Sequence, residues 1–304
     1  MSHRMPPTPR TRTITGSRSG VLPAGRRPRG GLALAALALL AGCAATPAGT
    51  PAATPPGAPG VAPGPVLAVG GGGTPAEALR LGLGHAPAGA RVAVVPFASG
   101  REDRGVGAVE MWLEAGAGSA ALVPEDAGAR RLLEEADVIW LGGGSQHRLM
   151  DSLEALDLVD LIRARHRGGA LVGGTSAGAA VLGSVLISGS PDPRAYVGGA
   201  MPTRPALDLV PGVLVDQHFR ERNREGRLLT AVLDGEGAWV GVGISERTAA
   251  LFEGAAFEVA GEGVVIVVDA RRARIAPAQP GAPRTGSGVL LSVHAPGERR
   301  SLGP

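Results

Sequence analysis

From Val66 onward the chain alternates short apolar runs, rich in β-branched residues, with amphipathic stretches of helical period, and no other feature narrows the choice of fold as much. The runs are Val66–Val69, Arg91–Pro96, Ala120–Val123, Val138–Leu141, Ala170–Gly173, Val213–Asp216 and Trp239–Val242. Between them lie helical patterns at Pro75–Leu83, Val106–Glu114, Ala127–Glu135, Gln146–Arg165, Ala177–Leu182 and Arg220–Leu233. Parallel strands cannot be joined by a tight turn, so a helix crossing between successive strands is the natural connection. The order therefore predicts a three-layer α/β/α domain with a largely parallel sheet. Phe257–Val268 and Gly288–His294 read as a β-rich close to the same domain. At 304 residues and 44% hydrophobic content the chain is long and apolar enough to bury a core.

The segment before this domain has a different texture. Arg26, Arg27 and Arg29 precede the apolar run Leu32–Leu40, which is too short to span a bilayer as a helix but has the length of a signal-peptide core. It ends in Leu40-Ala41-Gly42-Cys43, which resembles the bacterial lipobox, in which the cysteine is lipidated and becomes the mature N-terminus. Cys43 is the only cysteine, so an intramolecular disulfide is excluded. Residues 1–42 are thus expected to be a lipoprotein signal peptide. The expected location is the bacterial cell envelope, lipid-anchored, in the periplasm or at the outer membrane. Ala44, where Asp is absent, resembles lipoproteins passed on to the outer membrane. Residues 43–65 read as a Pro/Ala-rich disordered tether, with seven prolines in the 22 positions from Ala44 to Pro65, and residues 66–304 as the folded domain.

Charge and composition exclude several classes. The pI near 10.2 suggests nucleic acid at first sight. Seven of the 30 basic residues precede residue 31, however, and no acid occurs before Glu77. Beyond residue 42 the chain carries 23 basic against 27 acidic residues, a net of −4. With only three Trp, one Tyr and four Phe, neither a phosphate-tracking groove nor a base-stacking platform is indicated. No His, Asp or Glu cluster has ligand spacing, so no metal is expected. Gly71-Gly72-Gly73-Thr74-Pro75-Ala76 formally fits the dinucleotide fingerprint after a strand, but Val94-Val95-Pro96 stands where the ribose-binding acid belongs, so no cofactor is expected and a tight turn is preferred.

The chemistry is expected on the turns after strands. Leu171-Val172-Gly173 runs into Gly174-Thr175-Ser176-Ala177-Gly178, a G-x-S-x-G turn followed by a small-residue helix. That is the context of a nucleophile elbow, with Ser176 lifted clear of the backbone and the Ala177 N–H facing a developing oxyanion. The same five residues also fit a tight strand–helix turn without chemistry. An alcohol nucleophile needs a base, and the base needs an acceptor that orients it. His218 follows the run Val213–Asp216 and Glu246 follows Trp239–Val242, both at strand ends. His85 and His166 near helix ends, and His294 in the closing β segment, read as surface residues, and His147 as a helix start. The order Ser176, His218, Glu246 differs from that of α/β-hydrolases and fits a glutamine-amidotransferase-like (flavodoxin-like) architecture.

Three blocks together resemble the cyanophycinase family. They are Val138-Ile139-Trp140-Leu141-Gly142-Gly143-Gly144-Ser145-Gln146, then Gly174-Thr175-Ser176-Ala177-Gly178-Ala179, then Asp216-Gln217-His218-Phe219 with Arg222, Arg224, Gly226, Arg227 and Leu228. That family comprises serine peptidases, related to aspartyl dipeptidase, that cleave cyanophycin, a poly-aspartate bearing arginines on its side-chain carboxylates, into β-Asp-Arg dipeptides. The resemblance runs from about Val66 to about Leu302. It implies Ser176 as nucleophile, His218 as general base and Glu246 as its partner, with an oxyanion hole of N–H groups near Gly144 and Ala177. It also implies that Gln146, Asp216, Gln217, Arg222, Arg224 and Arg227 shape the substrate site. Such residues suit a substrate offering both carboxylates and guanidinium groups. If all three arginines lay on one helix, Arg224 and Arg227 would share a side and Arg222 would be left to brace the Asp216–Phe219 loop. Where members often carry Asp before the glutamine, this chain has Ser145, which leaves hydrolysis untouched but removes a carboxylate from the substrate side.

The expected partners are a peptide or cyanophycin-like polymer, a membrane reached through the lipid anchor and a second copy of the chain in a homodimer; nucleic acid is not among them. Two other readings stay open. One is an exported peptidase or isopeptidase for other Asp-containing peptides, and the other a catalytically silent envelope-binding lipoprotein on the same fold.

Overall fold

The computed structural model describes residues 62–188, 196–277 and 279–303. The expected signal peptide, Cys43 and the tether up to residue 61 lie outside them. Contacts of the domain begin at Gly64, whose N–H donates to the His166 carbonyl at 2.8 Å.

The first half follows the strand–helix alternation. It runs β1 (Val66–Val69), α1 (Ala76–Leu83), β2 (Arg91–Val95), α2 (Val106–Glu114), β3 (Ser119–Leu122), α3 (Ala129–Glu135) and β4 (Val138–Leu141). Next come α4 (Gln146–Ala155), α5 (Val159–Arg167), β5 (Leu171–Thr175), the single-turn α6 (Ala177–Ala180), β6 (Gly183–Ile187), β7 (Thr203–Pro205) and β8 (Val210–Asp216). The second half comprises α7 (Glu225–Asp234), β9 (Val240–Ile244), β10 (Thr248–Glu253), β11 (Ala256–Gly261) and β12 (Val265–Asp269). Four short strands close it: β13 (Arg274–Ile275), β14 (Gly286–Ser287), β15 (Leu290–His294) and β16 (Arg299–Ser301).

The strands form two main sheets. The larger has the order β16-β11-β10-β1-β5-β4-β2-β3, in which β1, β5, β4, β2 and β3 are mutually parallel and β10, β11 and β16 extend it antiparallel. Helices α1 and α2 bury Leu79 and Trp112 against one face, and α3, α4 and α5 bury Leu133, Leu149 and Ile162 against the other. This is the three-layer arrangement expected. The second sheet, ordered β15-β12-β9-β8-β6-β7, is a departure from a single sheet, and its inner residues Val213, Val215, Val240 and Val242 share one core with Val66, Ala68 and Val172 of the first. Strands β6 and β10 carry no alternating pattern, because both faces of β10 and most of β6 are buried. On the outer face of the second sheet α7 packs Leu228, Ala231 and Val232.

Besides Ala177–Leu182, of which α6 keeps Ala177–Ala180, two expected helices depart from their patterns. Gln146–Arg165 is interrupted at Asp157, which takes a left-handed φ of 52°, so that Leu158 can turn inward and bury fully. Arg220–Leu233 starts only at Glu225, because Asn223 is left-handed (φ 49°) and the preceding residues form a turn closed by Arg224 N–H to the Phe219 carbonyl.

Trp140 on β4 meets Trp112 edge to face, with ring centroids 5.3 Å apart, and both are fully buried. Trp140→Ala removes that contact and opens a cavity beside β4 and α2. It is expected to lower unfolding free energy by about 3–5 kcal/mol, as read by urea denaturation.

Candidate active site

Ser176, His218 and Glu246 are brought together from three strand ends in two sheets. Parallel strands point their C-terminal ends to the same edge, where the following loops can converge. Ser176 follows β5 in the first sheet, His218 follows β8 and Glu246 follows β9 in the second. Ser176 Oγ lies 2.9 Å from His218 Nε2, and His218 Nδ1 lies 2.6 Å from Glu246 Oε1. With Nδ1–H donating to the carboxylate, Nε2 is left as the acceptor for the serine hydroxyl, and this tautomer satisfies both contacts.

The backbone at these residues is held off its usual conformations. Ser176 has φ 53° and ψ −111°, and His218 has φ 46°, both costly for residues with a Cβ. The elbow is possible because Gly174 and Gly178 let the end of β5 touch the start of α6: a Cβ on Gly174 would stand 2.6 Å from the Gly178 carbonyl carbon. Three successive carbonyls of the turn after β1 then tie the site together. Val69 O accepts from Ser176 N–H at 2.9 Å, Gly70 O from His218 N–H at 2.7 Å and Gly71 O from Arg247 N–H at 2.8 Å. The Gly142–Gly144 turn after β4 passes beside the serine, with a Cβ on Gly143 falling 3.5 Å from that of Ser176. Ala177 is the first residue of α6, so its N–H lies at the exposed-dipole end of that turn.

Electrostatics divide the neighbourhood in two. The hydrogen bond from His218 holds the Glu246 carboxylate below the usual carboxylate range, and the charges of His218, Arg222 and Arg247 act the same way against partial burial. Below the loop lies a closed cluster. Asp216, 1% exposed, accepts from Arg227 Nε at 2.7 Å and from its second guanidinium nitrogen, from Arg224 at 3.4 Å and from Gln217 N–H at 2.8 Å. Burial, assisted by the Arg227 and Arg222 charges and opposed by Asp216, pushes Arg224 down to about 10, so it stays charged at neutral pH.

The expected division of labour among the arginines is reversed, because the helix starts later than its pattern. Arg224 and Arg227 brace the loop through Asp216, and Arg222 is the exposed one. Gln146 and Gln217 meet at 3.5 Å, and Gln146 Nε2 donates to the Ile187 carbonyl at 2.6 Å. The buried Gln217 Oε1 has no partner among the described residues. Ser145 caps α4, accepting from Arg148 N–H at 3.3 Å.

Sequence reasoning missed Glu221, whose carboxylate accepts the Glu246 backbone N–H at 3.0 Å and fixes the turn carrying that residue. It also misread two histidines, since His166 and His294 are buried. His294 lies 2.9 Å from Ser292 Oγ and 3.1 Å from Glu298 Oε2, a second Ser–His–Glu series. Ser292 sits inside edge strand β15 with ordinary φ and no helix start behind it, so the series lacks the strained elbow on which Ser176 sits. Among the described residues no His, Cys, Asp and Glu group could hold a metal ion, and no helix is long and apolar enough to cross a membrane.

The profile of Peptidase family S51 matches residues 69–260. A cyanophycinase of Trichormus variabilis is 35% identical over 230 residues, covering 72% of this chain and 75% of that protein. Peptidase E of Actinobacillus pleuropneumoniae serotype 3 is 34% identical over 140 residues, covering 45% of this chain and 58% of that protein. In fold, the chain is similar to the crystal structure of a peptidase from an acI-B1 Actinobacterium, with a TM-score of 0.55 at 21% identity over 79% of this chain and 97% of that one.

Asp216→Asn would leave two buried guanidinium groups short of their counter-charge. It is expected to destabilise the fold by about 3–5 kcal/mol in urea denaturation, while Arg222→Ala changes stability by less than about 0.5 kcal/mol.

Proposed function

The chain belongs to peptidase family S51 and is a serine-type peptidase, and on that footing we propose that it hydrolyses cyanophycin to β-Asp-Arg dipeptides with Ser176, His218 and Glu246 as its catalytic residues. The observation that carries this reading is the unbroken series from Ser176 Oγ through His218 to Glu246, at 2.9 and 2.6 Å, on a strained elbow. His218 takes the serine proton as Oγ attacks the scissile carbonyl, and Glu246 stabilises the imidazolium that results. The N–H groups of Gly144 and Ala177 receive the oxyanion. His218 then returns the proton to the leaving amine, and water repeats the cycle on the acyl-enzyme.

Substrate contact falls to Gln146, Gln217 and Arg222, with Asp216, Arg224 and Arg227 shaping the loop from beneath. The unpartnered Gln217 oxygen suits a guanidinium, and the exposed Arg222 suits a carboxylate. Because Arg222 alone of the three arginines is free of Asp216, a peptidase for other Asp-containing peptides is the second reading. Export and lipid anchoring at Cys43, in the cell envelope, complete the proposal and rest on the Leu40–Cys43 motif.

Incubation with purified cyanophycin and mass analysis for β-Asp-Arg tests the substrate. Release of the dipeptide supports it, whereas cleavage only of β-aspartyl peptides without arginine returns the second reading. On the substrate that is cleaved, Ser176→Ala and His218→Ala are expected to lower kcat by at least about 1,000-fold, and Glu246→Gln by less. Near-normal turnover by Ser176→Ala would reject the nucleophile. Cys43→Ser is expected to shift the protein from the membrane fraction to the soluble fraction or to leave it unprocessed; unchanged membrane association of the mature chain would reject the anchor.

A further inference from the structure

We propose that Gly71 and Gly72 are positioning residues of the active site: the side chains they lack are the space in which the His218 imidazole and the Glu246 carboxylate lie. The inference rests on the assignment of Ser176, His218 and Glu246 as the catalytic residues, and gives a purpose to the glycine turn that fits a dinucleotide fingerprint only formally.

A Cβ on Gly71 would stand 2.4 Å from His218 Cε1 and 2.5 Å from Nε2, the atom that faces Ser176. A Cβ on Gly72 would stand 2.4 Å from Glu246 Oε2. Neither approach is open to a carbon atom, so the turn backbone itself forms the wall behind the imidazole and the carboxylate. At Gly71 the atoms met all belong to the His218 ring, and at Gly72 they are the Glu246 carboxylate and, at 2.7 Å, the Glu246 Cβ. An alanine at Gly71 would be accommodated by swinging the imidazole aside, and one at Gly72 by turning the carboxylate away with a small shift of the turn that carries Glu246. The fold would survive and the alignment of Oγ, Nε2 and Nδ1 would not. A displacement of about 1 Å in a reacting group is enough to cost about 100-fold in rate.

Gly73 supplies the internal comparison. Its φ of 114° is at least as unfavourable for alanine as the 94° of Gly71 and the 67° of Gly72. Its Cβ would meet only Arg247 Cγ, at an ordinary 3.7 Å. Backbone strain is thus common to all three glycines, and collision with the catalytic groups is confined to two.

The test is the rate at which a fluorophosphonate modifies Ser176 in the full chain, read by mass spectrometry together with melting temperature. Gly71→Ala and Gly72→Ala are expected to slow modification about 100-fold, and Gly73→Ala by less than about 3-fold, all three keeping a cooperative melt. In a Glu246→Gly background, which also removes the Glu246 Cβ that a methyl on Gly72 would meet at 2.7 Å, nothing of residue 246's side chain remains for the Gly72→Ala methyl to strike, so its further cost should fall below about 2-fold. An equal cost of Gly72→Ala in both backgrounds, or a Gly73→Ala variant as slow as its neighbours, would reduce the effect to backbone strain and overturn the proposal. Loss of the folded state in both Gly71→Ala and Gly72→Ala would overturn it too, assigning the turn to folding. A wild-type chain not modified at Ser176, or modified no faster than His218→Ala, would instead remove the catalytic assignment on which the proposal stands.

Discussion

Three consecutive backbone carbonyls, those of Val69, Gly70 and Gly71, accept hydrogen bonds from Ser176, His218 and Arg247, one from each loop that carries a member of the Ser176–His218–Glu246 series. This shared edge is what the rest of the site depends on. The serine comes from one sheet and the histidine and glutamate from another, so no single sheet fixes their spacing. Strand β1 lies beside β5, and its last residues reach past the sheet edge to meet both loops of the second sheet. Each bond is worth only about 1 kcal/mol net, but a buried N–H left without its acceptor costs more, so the loops are held as a group. That grouping lets Ser176 and His218 persist at positive φ.

The charges near the site serve two different ends. Asp216 is buried and saturated by Arg224, Arg227 and the Gln217 N–H, an arrangement that stiffens the segment leading to His218. Glu246 has one strong partner, the His218 ring, and lies among exposed charges of both signs. A carboxylate in the first setting holds a loop in shape. In the second it orients an imidazole and fixes its tautomer.

The sequence carried the larger features because they rest on local pattern. The parallel strands β1, β2, β4 and β5 are continuous apolar runs with turn residues at their ends, and the G-x-S-x-G turn marks the elbow through glycines that permit backbone contact. Strands β6 and β10 were not legible, since Gly183-Ser184 and Thr248-Ala249-Ala250 open them with small or polar residues, so that they show neither alternation nor a continuous β-branched run. The roles of Arg222, Arg224 and Arg227 were misjudged because they turn on where α7 begins, and the left-handed Asn223 that delays it has no periodic signal. Glu221 and the carbonyls of the glycine turn act through backbone hydrogen bonds between segments far apart in the chain, which residue identity does not encode.

The most direct measurement of the central claim is the crystal structure of the chain after reaction with an aryl phosphonate. The account requires phosphorus bonded to Ser176 Oγ, its phosphoryl oxygen within about 3.1 Å of the Gly144 and Ala177 nitrogens, and His218 still bonded to Glu246. Phosphorus on Ser292, or a phosphoryl oxygen on Ser176 turned to solvent with no backbone donor near it, would contradict it.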